Sequence, residues 1–162
     1  MVSSNSKAFS LDRIDRRILK EMQNNGRISY VELGKIVGLS TSPCLERVRR
    51  LEKQGYIQSY TANLNPELLG AGLLIFVEIN LTYRKADVFD EFKKAVEKWP
   101  QIQECHLVSG DFDYLLKIRI ENIAVYRELL GDIMQTLPDV RESKTMVVME
   151  TASETCKIDL QN

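Results

Sequence analysis

The sequence is poor in the residues that catalysis and metal binding draw upon. Its 162 residues hold one histidine, His106, and three cysteines, Cys44, Cys105 and Cys156. The cysteines are odd in number, far apart and never in a CxxC pair, which argues against both a disulfide framework and a zinc site. Small buried or half-buried thiols are expected instead, and His106, on a strand beside Cys105, is expected as a packing residue. No nucleophile–base pair, phosphate loop or metal-ligand spacing occurs, so neither an enzyme activity nor a cofactor is expected. Long apolar runs are missing too. None approaches the ~18 residues of a membrane span, and the first ten residues are polar rather than signal-like. The cytoplasm is the expected location.

An excess of one charge is also missing, since the net charge is −1. The balance is uneven along the chain, however. Residues 1–64 carry eleven Lys/Arg against six Asp/Glu, whereas residues 65–162 carry eleven against seventeen. Such asymmetry points to a nucleic-acid-binding segment joined to a part with another task. Residues 1–10 read as a flexible tail, 11–64 as a DNA-binding domain, 65–72 as a linker and 73–162 as a second domain.

The basic segment predicts three helices and a wing. Asp12 is a plausible N-cap for a helix whose apolar stripe includes Ile14, Ile18 and Met22. Gly26 is expected to end it in the left-handed conformation. Ser29-Tyr30-Val31-Glu32 has the form of a capping box opening a short second helix, broken at Gly38. The third helix is expected over residues 42–54, with Ser42 as N-cap and Pro43 at the first helical position, Ser40 being the alternative cap. Leu45, Val48 and Leu51 would pack inward, with Arg50 and Lys53 pointing away and Arg47 and Arg49 on the flanks. Small residues at its start (Ser40, Thr41, Ser42) would let such a helix approach base edges, with Glu46, Arg47, Arg49, Arg50 and Lys53 facing double-stranded DNA. Residues 56–62 alternate like one strand of a hairpin wing.

The acidic segment predicts a βαββαβ order. Strands are expected over Leu73–Leu81, 101–109, Tyr114–Ile120 and 141–150, and helices after Val88 and after Asn122. This is the ferredoxin-like arrangement, an α+β fold with both helices on one face of an antiparallel sheet. The other face should be polar in a monomer, yet Leu74, Phe76, Val108, Leu115, Met146 and Val148 fall there beside Glu78, His106 and Lys117. Such a patch predicts sheet-to-sheet dimerisation, with Leu74, Phe76, Val108 and Leu115 at the interface.

Several long segments carry a family resemblance: Leu11-Asp12-Arg13-Ile14-Asp15, Gly26-Arg27-Ile28-Ser29, Pro43-Cys44-Leu45-Glu46-Arg47-Val48-Arg49-Arg50-Leu51-Glu52, and the run from Glu104 to Tyr114. Almost the whole chain resembles the Lrp/AsnC, or feast/famine, family of bacterial and archaeal transcription regulators. The resemblance implies a winged helix-turn-helix followed by a domain for regulation of amino-acid metabolism. It further implies dimers that assemble into octamers or larger, association with the bacterial nucleoid, and an amino-acid effector bound between subunits. Matched one by one, the effector positions fall on Leu107, Gly110, Asp113, Ile123, Met146, Val147 and Val148. A glycine lets backbone N–H groups approach an α-carboxylate, an aspartate can pair with an α-ammonium, and the apolar residues suit an aliphatic side chain. Taken without the resemblance, Asp113 reads as a cap for the hairpin turn. At Ile123 and Met146 the chain departs from the family's pattern, where Met and Tyr are expected. Leucine, methionine or a similar apolar amino acid is therefore the expected effector. The competing expectations are a regulatory domain of an amino-acid enzyme and a pure assembly protein; the first lacks a catalytic domain, and the second leaves the basic helix unexplained.

Overall fold

The computed structural model describes residues 10–83 and 87–160, so nearly all of the expected tail lies outside the described residues. The chain divides into two compact units. One combines Met1–Asn63 with Glu154–Asn162, and the other is Leu64–Ser153. The expected boundary is thus corrected at the C-terminal side, where the last residues belong with the first unit. Their docking is carried by side chain and backbone together. The Gln23 amide accepts from Ile158 N–H at 2.7 Å and donates to its carbonyl at 3.0 Å. Lys157 Nζ reaches Asn24 Oδ1 at 3.0 Å, and Leu160 packs on the helical core.

The first unit is built from α1 (Arg13–Asn24), α2 (Tyr30–Val37) and α3 (Thr41–Lys53). At α1 the expected cap is present and reciprocal: Asp15 N–H donates to Asp12 Oδ1 at 2.7 Å, and Asp12 N–H donates to Asp15 Oδ2 at 3.4 Å. Gly26 takes no left-handed conformation; α1 stops with an extended Asn25 instead. Ser29 Oγ accepts from Glu32 N–H, the forward half of the expected capping box. Within α2, a Cβ added to Gly34 would stand 2.7 Å from the Leu39 carbonyl oxygen. The turn into α3 therefore closes tightly only around a glycine. The N-cap of α3 is Ser40, not Ser42, which places Pro43 at the third helical position. Ile18, Leu19, Leu33, Val37, Cys44, Val48 and Leu51 form the core. Cys44 is fully buried and Leu45 only half-buried, so the inward face is turned by one residue from the expected one. Residues 56–62 form no strand. They are held by Ile57 on the core and by the Tyr60 hydroxyl, which donates to Glu52 at 2.8 Å.

The second unit follows the expected order: β1 (Leu73–Leu81), α4 (Val88–Val96), β2 (Ile102–Leu107), β3 (Tyr114–Ile120), α5 (Ile123–Thr136) and β4 (Val140–Val147). The antiparallel sheet runs β2-β3-β1-β4. Strands β2 and β4 end earlier than expected. Ile75, Val77 and Ile79 of β1 alternate into a core shared with Leu116 and Ile118 of β3, Phe92 of α4, and Tyr126 and Ile133 of α5. Period-two burial on the strands and period-four burial on the helices meet there, which is why both helices cover one sheet face. Phe92 stacks on Tyr114 with ring centroids 4.5 Å apart. Trp99 Nε1 donates to Thr136 Oγ1 at 3.0 Å, tying the ends of the two helices together. Among the described residues no helix is long and apolar enough to cross a membrane.

Candidate nucleic-acid interface and effector site

Around α3, at about 100° per residue, Cys44, Val48 and Leu51 mark the buried side. Ser42, Glu46, Arg49 and Lys53 follow one another at helical spacing on the opposite side, and all four are exposed, as are Ser40 and Thr41 at the start of the helix. This stripe is small and polar at its N-terminal end and cationic at its C-terminal end.

Arg47 and Arg50 are placed differently from the expectation that Arg50 points away from the core. Arg47 Nη1 donates to Asp12 Oδ2 at 2.6 Å and to Asp15 Oδ1 at 2.8 Å. Arg50 Nη2 donates to both Asp15 oxygens at 2.7 Å. With Cys44 rather than Leu45 in the core, both arginines fall on the flank that meets α1. Asp15 is 1% exposed, while the two arginine side chains are 26% and 34% exposed. Two carboxylates spaced three apart, at the N-cap and in the first turn of α1, thus clamp two guanidinium groups spaced three apart on α3. The Asp15 N–H and then the Arg47 guanidinium hold the Asp12 carboxyl below its ordinary range, and Asp12 and Asp15 in turn raise Arg47. The pairing of i,i+3 acids with i,i+3 arginines was the available sequence signal, but it links positions some 35 residues apart. The three thiols are free: Cys44 is buried and Cys105 half-buried as expected, whereas Cys156 is exposed.

The seven positions expected to meet an effector form two groups in the chain. Leu107 ends β2, Gly110 lies in the β2–β3 turn and Asp113 precedes β3, all beside the Ile79–Leu81 end of β1. Gly110 has φ +146°, where an L side chain is strained, and a Cβ there would meet nothing within 4 Å. Ile123 opens α5, while Met146, Val147 and Val148 lie along the Leu74–Phe76 end of β1. Along β1 the levels of Leu107 and Met146, marked by Ile79 and Phe76, are three residues or about 10 Å apart, and strands β3 and β1 lie between β2 and β4. Leu107, Ile123, Met146 and Val147 are exposed apolar residues, and Val148 is half-buried. Asp113 is half-buried and does not cap its own hairpin. Its Oδ2 accepts from Leu81 N–H at 2.7 Å and its Oδ1 from the Tyr83 hydroxyl. Its backbone N–H donates to the Ile79 carbonyl at 2.9 Å.

On the helix-free sheet face, the register aligns Phe76 with Lys117 and Met146, and Glu78 with Leu115 and Lys144. Phe76, Val108 and Leu115 are half-buried, but Leu74 is only 7% exposed in the single chain and offers a partner little area. Lys117 Nζ reaches Glu104 Oε1 at 3.0 Å, and Lys144 Nζ reaches Glu78 Oε2 at 3.6 Å. His106 is not a packing residue: it is exposed on this face, 3.1 Å from Glu104. His106 and Lys117 hold the Glu104 carboxyl below its usual range.

A helix-turn-helix with a solvent-facing cationic stripe, joined to a separate βαββαβ unit, defines the class of DNA-binding regulators that carry a ligand domain. Residues 74–158 match the Lrp/AsnC ligand binding domain and residues 11–58 match the winged helix-turn-helix DNA-binding family. The chain belongs to the Lrp/AsnC family. It is 60% identical over 148 residues to the leucine-responsive regulatory proteins of Klebsiella pneumoniae and Escherichia coli K12, covering 91% of this chain and 90% of each relative. Among solved structures it is similar to a Neisseria meningitidis transcriptional regulator in complex with L-methionine (TM-score 0.89, 32% identity, 93% of this chain and 97% of that one). It is also similar to a Mycobacterium tuberculosis feast or famine regulatory protein complexed with L-methionine (TM-score 0.83, 30% identity, 94% and 100%). The chain is accordingly an amino-acid-responsive transcription regulator of this family, and not an enzyme.

Proposed function

We propose that this regulator reads promoter DNA through Ser42, Glu46, Arg49 and Lys53 and changes that binding when leucine, methionine or a similar apolar amino acid is bound. The observation that carries the DNA half is the exposed stripe on α3, opposite its buried face. Ser40 and Thr41 flank the stripe. Arg47 and Arg50, clamped to α1, set the pose of the helix and offer their outer edges to phosphate. Arginine takes guanine bidentately, and small N-terminal side chains let the backbone approach the groove.

The effector half rests on the separation of the two residue groups. Strands β3 and β1 lie between Leu107 on β2 and Met146 on β4, and our reading is that a site using both groups takes one from each of two chains. Asp113 and Gly110 would serve the polar end of the ligand, and Ile123, Met146, Val147, Val148 and Leu107 its side chain. Met is a pliable apolar filler, which favours an unbranched or γ-branched aliphatic ligand. The proposed functional unit is a homodimer joined through the face bearing Phe76, Val108 and Leu115. Such dimers would assemble into octamers or another higher oligomer on the bacterial nucleoid in the cytoplasm.

Mobility shift on promoter DNA across a salt series, with and without each amino acid, tests the proposal. Affinity should fall steeply with salt as counterions are released, and one or a few apolar amino acids should shift it by about 1–3 kcal/mol. A calorimetric screen of the twenty amino acids identifies the ligand. No shift at low salt, or no binding in the screen, would overturn the corresponding half.

A further inference from the structure

We propose that Tyr83 is a specificity-determining residue of the effector site: its phenolic hydroxyl occupies the Asp113 oxygen that an α-ammonium group would take, so an amino acid binds by displacing it. The inference rests on the proposed effector role of Asp113. The two oxygens of that carboxylate are unlike. Oδ2 holds the Leu81 N–H at 2.7 Å, a bond that fixes the end of β1 to the start of β3. Oδ1 accepts from the Tyr83 hydroxyl, which lies just past the end of β1. The first bond belongs to the sheet, and giving it up would cost an unsatisfied backbone donor. The second belongs to a side chain that is 64% exposed, whose loss of contact is made good by water.

The geometry also shows how the phenol is kept in reach. The Tyr83 ring stands tilted against Phe89 of α4 with centroids 5.6 Å apart, and Phe89 in turn meets Tyr114 at 6.0 Å. The ring thus rests on Phe89 at its apolar edge, and the hydroxyl leaves Oδ1 only when the whole Tyr83 side chain turns. The acid that accepts from it raises the Tyr83 pKa, so at neutral pH the phenol stays protonated and remains a donor. A protein donor on Oδ1 offsets part of what an ammonium would gain there, which sets a higher amino-acid concentration for the response. The contest concerns the ammonium alone. Ligands lacking it do not compete for Oδ1.

Calorimetry with leucine and methionine on the full-length wild type, Tyr83→Phe and Asp113→Asn variants tests this. Phenylalanine keeps the ring on Phe89 and frees Oδ1, while asparagine keeps an oxygen for Leu81 N–H. Tyr83→Phe should bind the amino acid about three- to tenfold more tightly, the size of one net hydrogen bond. It should show no gain for 4-methylpentanoate, the leucine skeleton without its amino group. Unchanged or weaker amino-acid binding by Tyr83→Phe, with binding lost in Asp113→Asn, would overturn the role of Tyr83 and leave that of Asp113 standing. Unchanged binding in Asp113→Asn would remove Asp113 from the site, and the inference with it.

Discussion

The clamp between α1 and α3 can be tested by removing its buried charge. Asp15→Asn preserves shape and one acceptor oxygen but strips the charge that faces Arg47 and Arg50 at 2.7–2.8 Å. Breaking a buried ion pair by neutralising one partner costs about 3–5 kcal/mol when the other is left stranded. Here the arginines are 26% and 34% exposed and can turn toward water, and Arg47 retains Asp12. The expected loss is therefore about 2–3 kcal/mol. For a unit of this size that lowers the melting temperature by about 10–20 °C. Scanning calorimetry reads it directly. Arg49→Ala is the paired control. It sits on the exposed stripe, so stability should stay within about 0.5 kcal/mol while promoter affinity falls by about 1–3 kcal/mol if the side chain reads a base. If Asp15→Asn melts with the parent, or Arg49→Ala melts as low as Asp15→Asn, the division between clamp and reading stripe is wrong.

Three further outcomes are expected. Gly110→Ala forces an L side chain to φ +146° and should cost the ligand domain about 1–3 kcal/mol of backbone strain, read by urea unfolding. Gln23→Ala removes both hydrogen bonds to Ile158; limited proteolysis should then cut residues 154–160 faster, with little change in the melting of the ligand domain. The folded-state pKa of Asp12 is depressed below its ordinary 3.8, so its stabilising contribution is present above that value and lost as pH falls through the folded pKa. Urea midpoints at pH 5 and pH 3 should accordingly converge between wild type and Asp12→Asn as the solution becomes acidic.

How much was legible follows from the range of the interactions. The second unit could be read well because its information is local: Leu73, Ile75, Val77, Ile79 and Leu81 alternate, and Asn122 signals the start of α5, accepting from the backbone N–H groups of Ala124 and Val125. Its two edge strands were drawn too long because an edge has only one neighbour to hold its ends. In the first unit the helices could be read, but a one-residue error in the inward face of α3 exchanged Cys44 for Leu45 and sent Arg50 outward. A helical projection scores Leu above Cys and knows nothing of Asp12 and Asp15 on another helix. Residues 56–62 alternate as a strand does, yet alternation without a partner makes none within the chain. The effector positions came only through the family resemblance, for their chemistry is spread over both ends of the sheet. Tyr83 carried no sequence signal, since its bond to Asp113 depends on where β1 ends.

The return of residues 154–160 to the helical unit means that this unit is interrupted during synthesis by the whole ligand domain and completed only after it. Its three helices emerge from the ribosome early, but the Ile158 backbone that Gln23 holds, and the Leu160 side chain on its core, arrive only after the whole ligand domain has been made. A fragment cut at residue 63 would carry all of α3 and still lack a piece of its own hydrophobic packing.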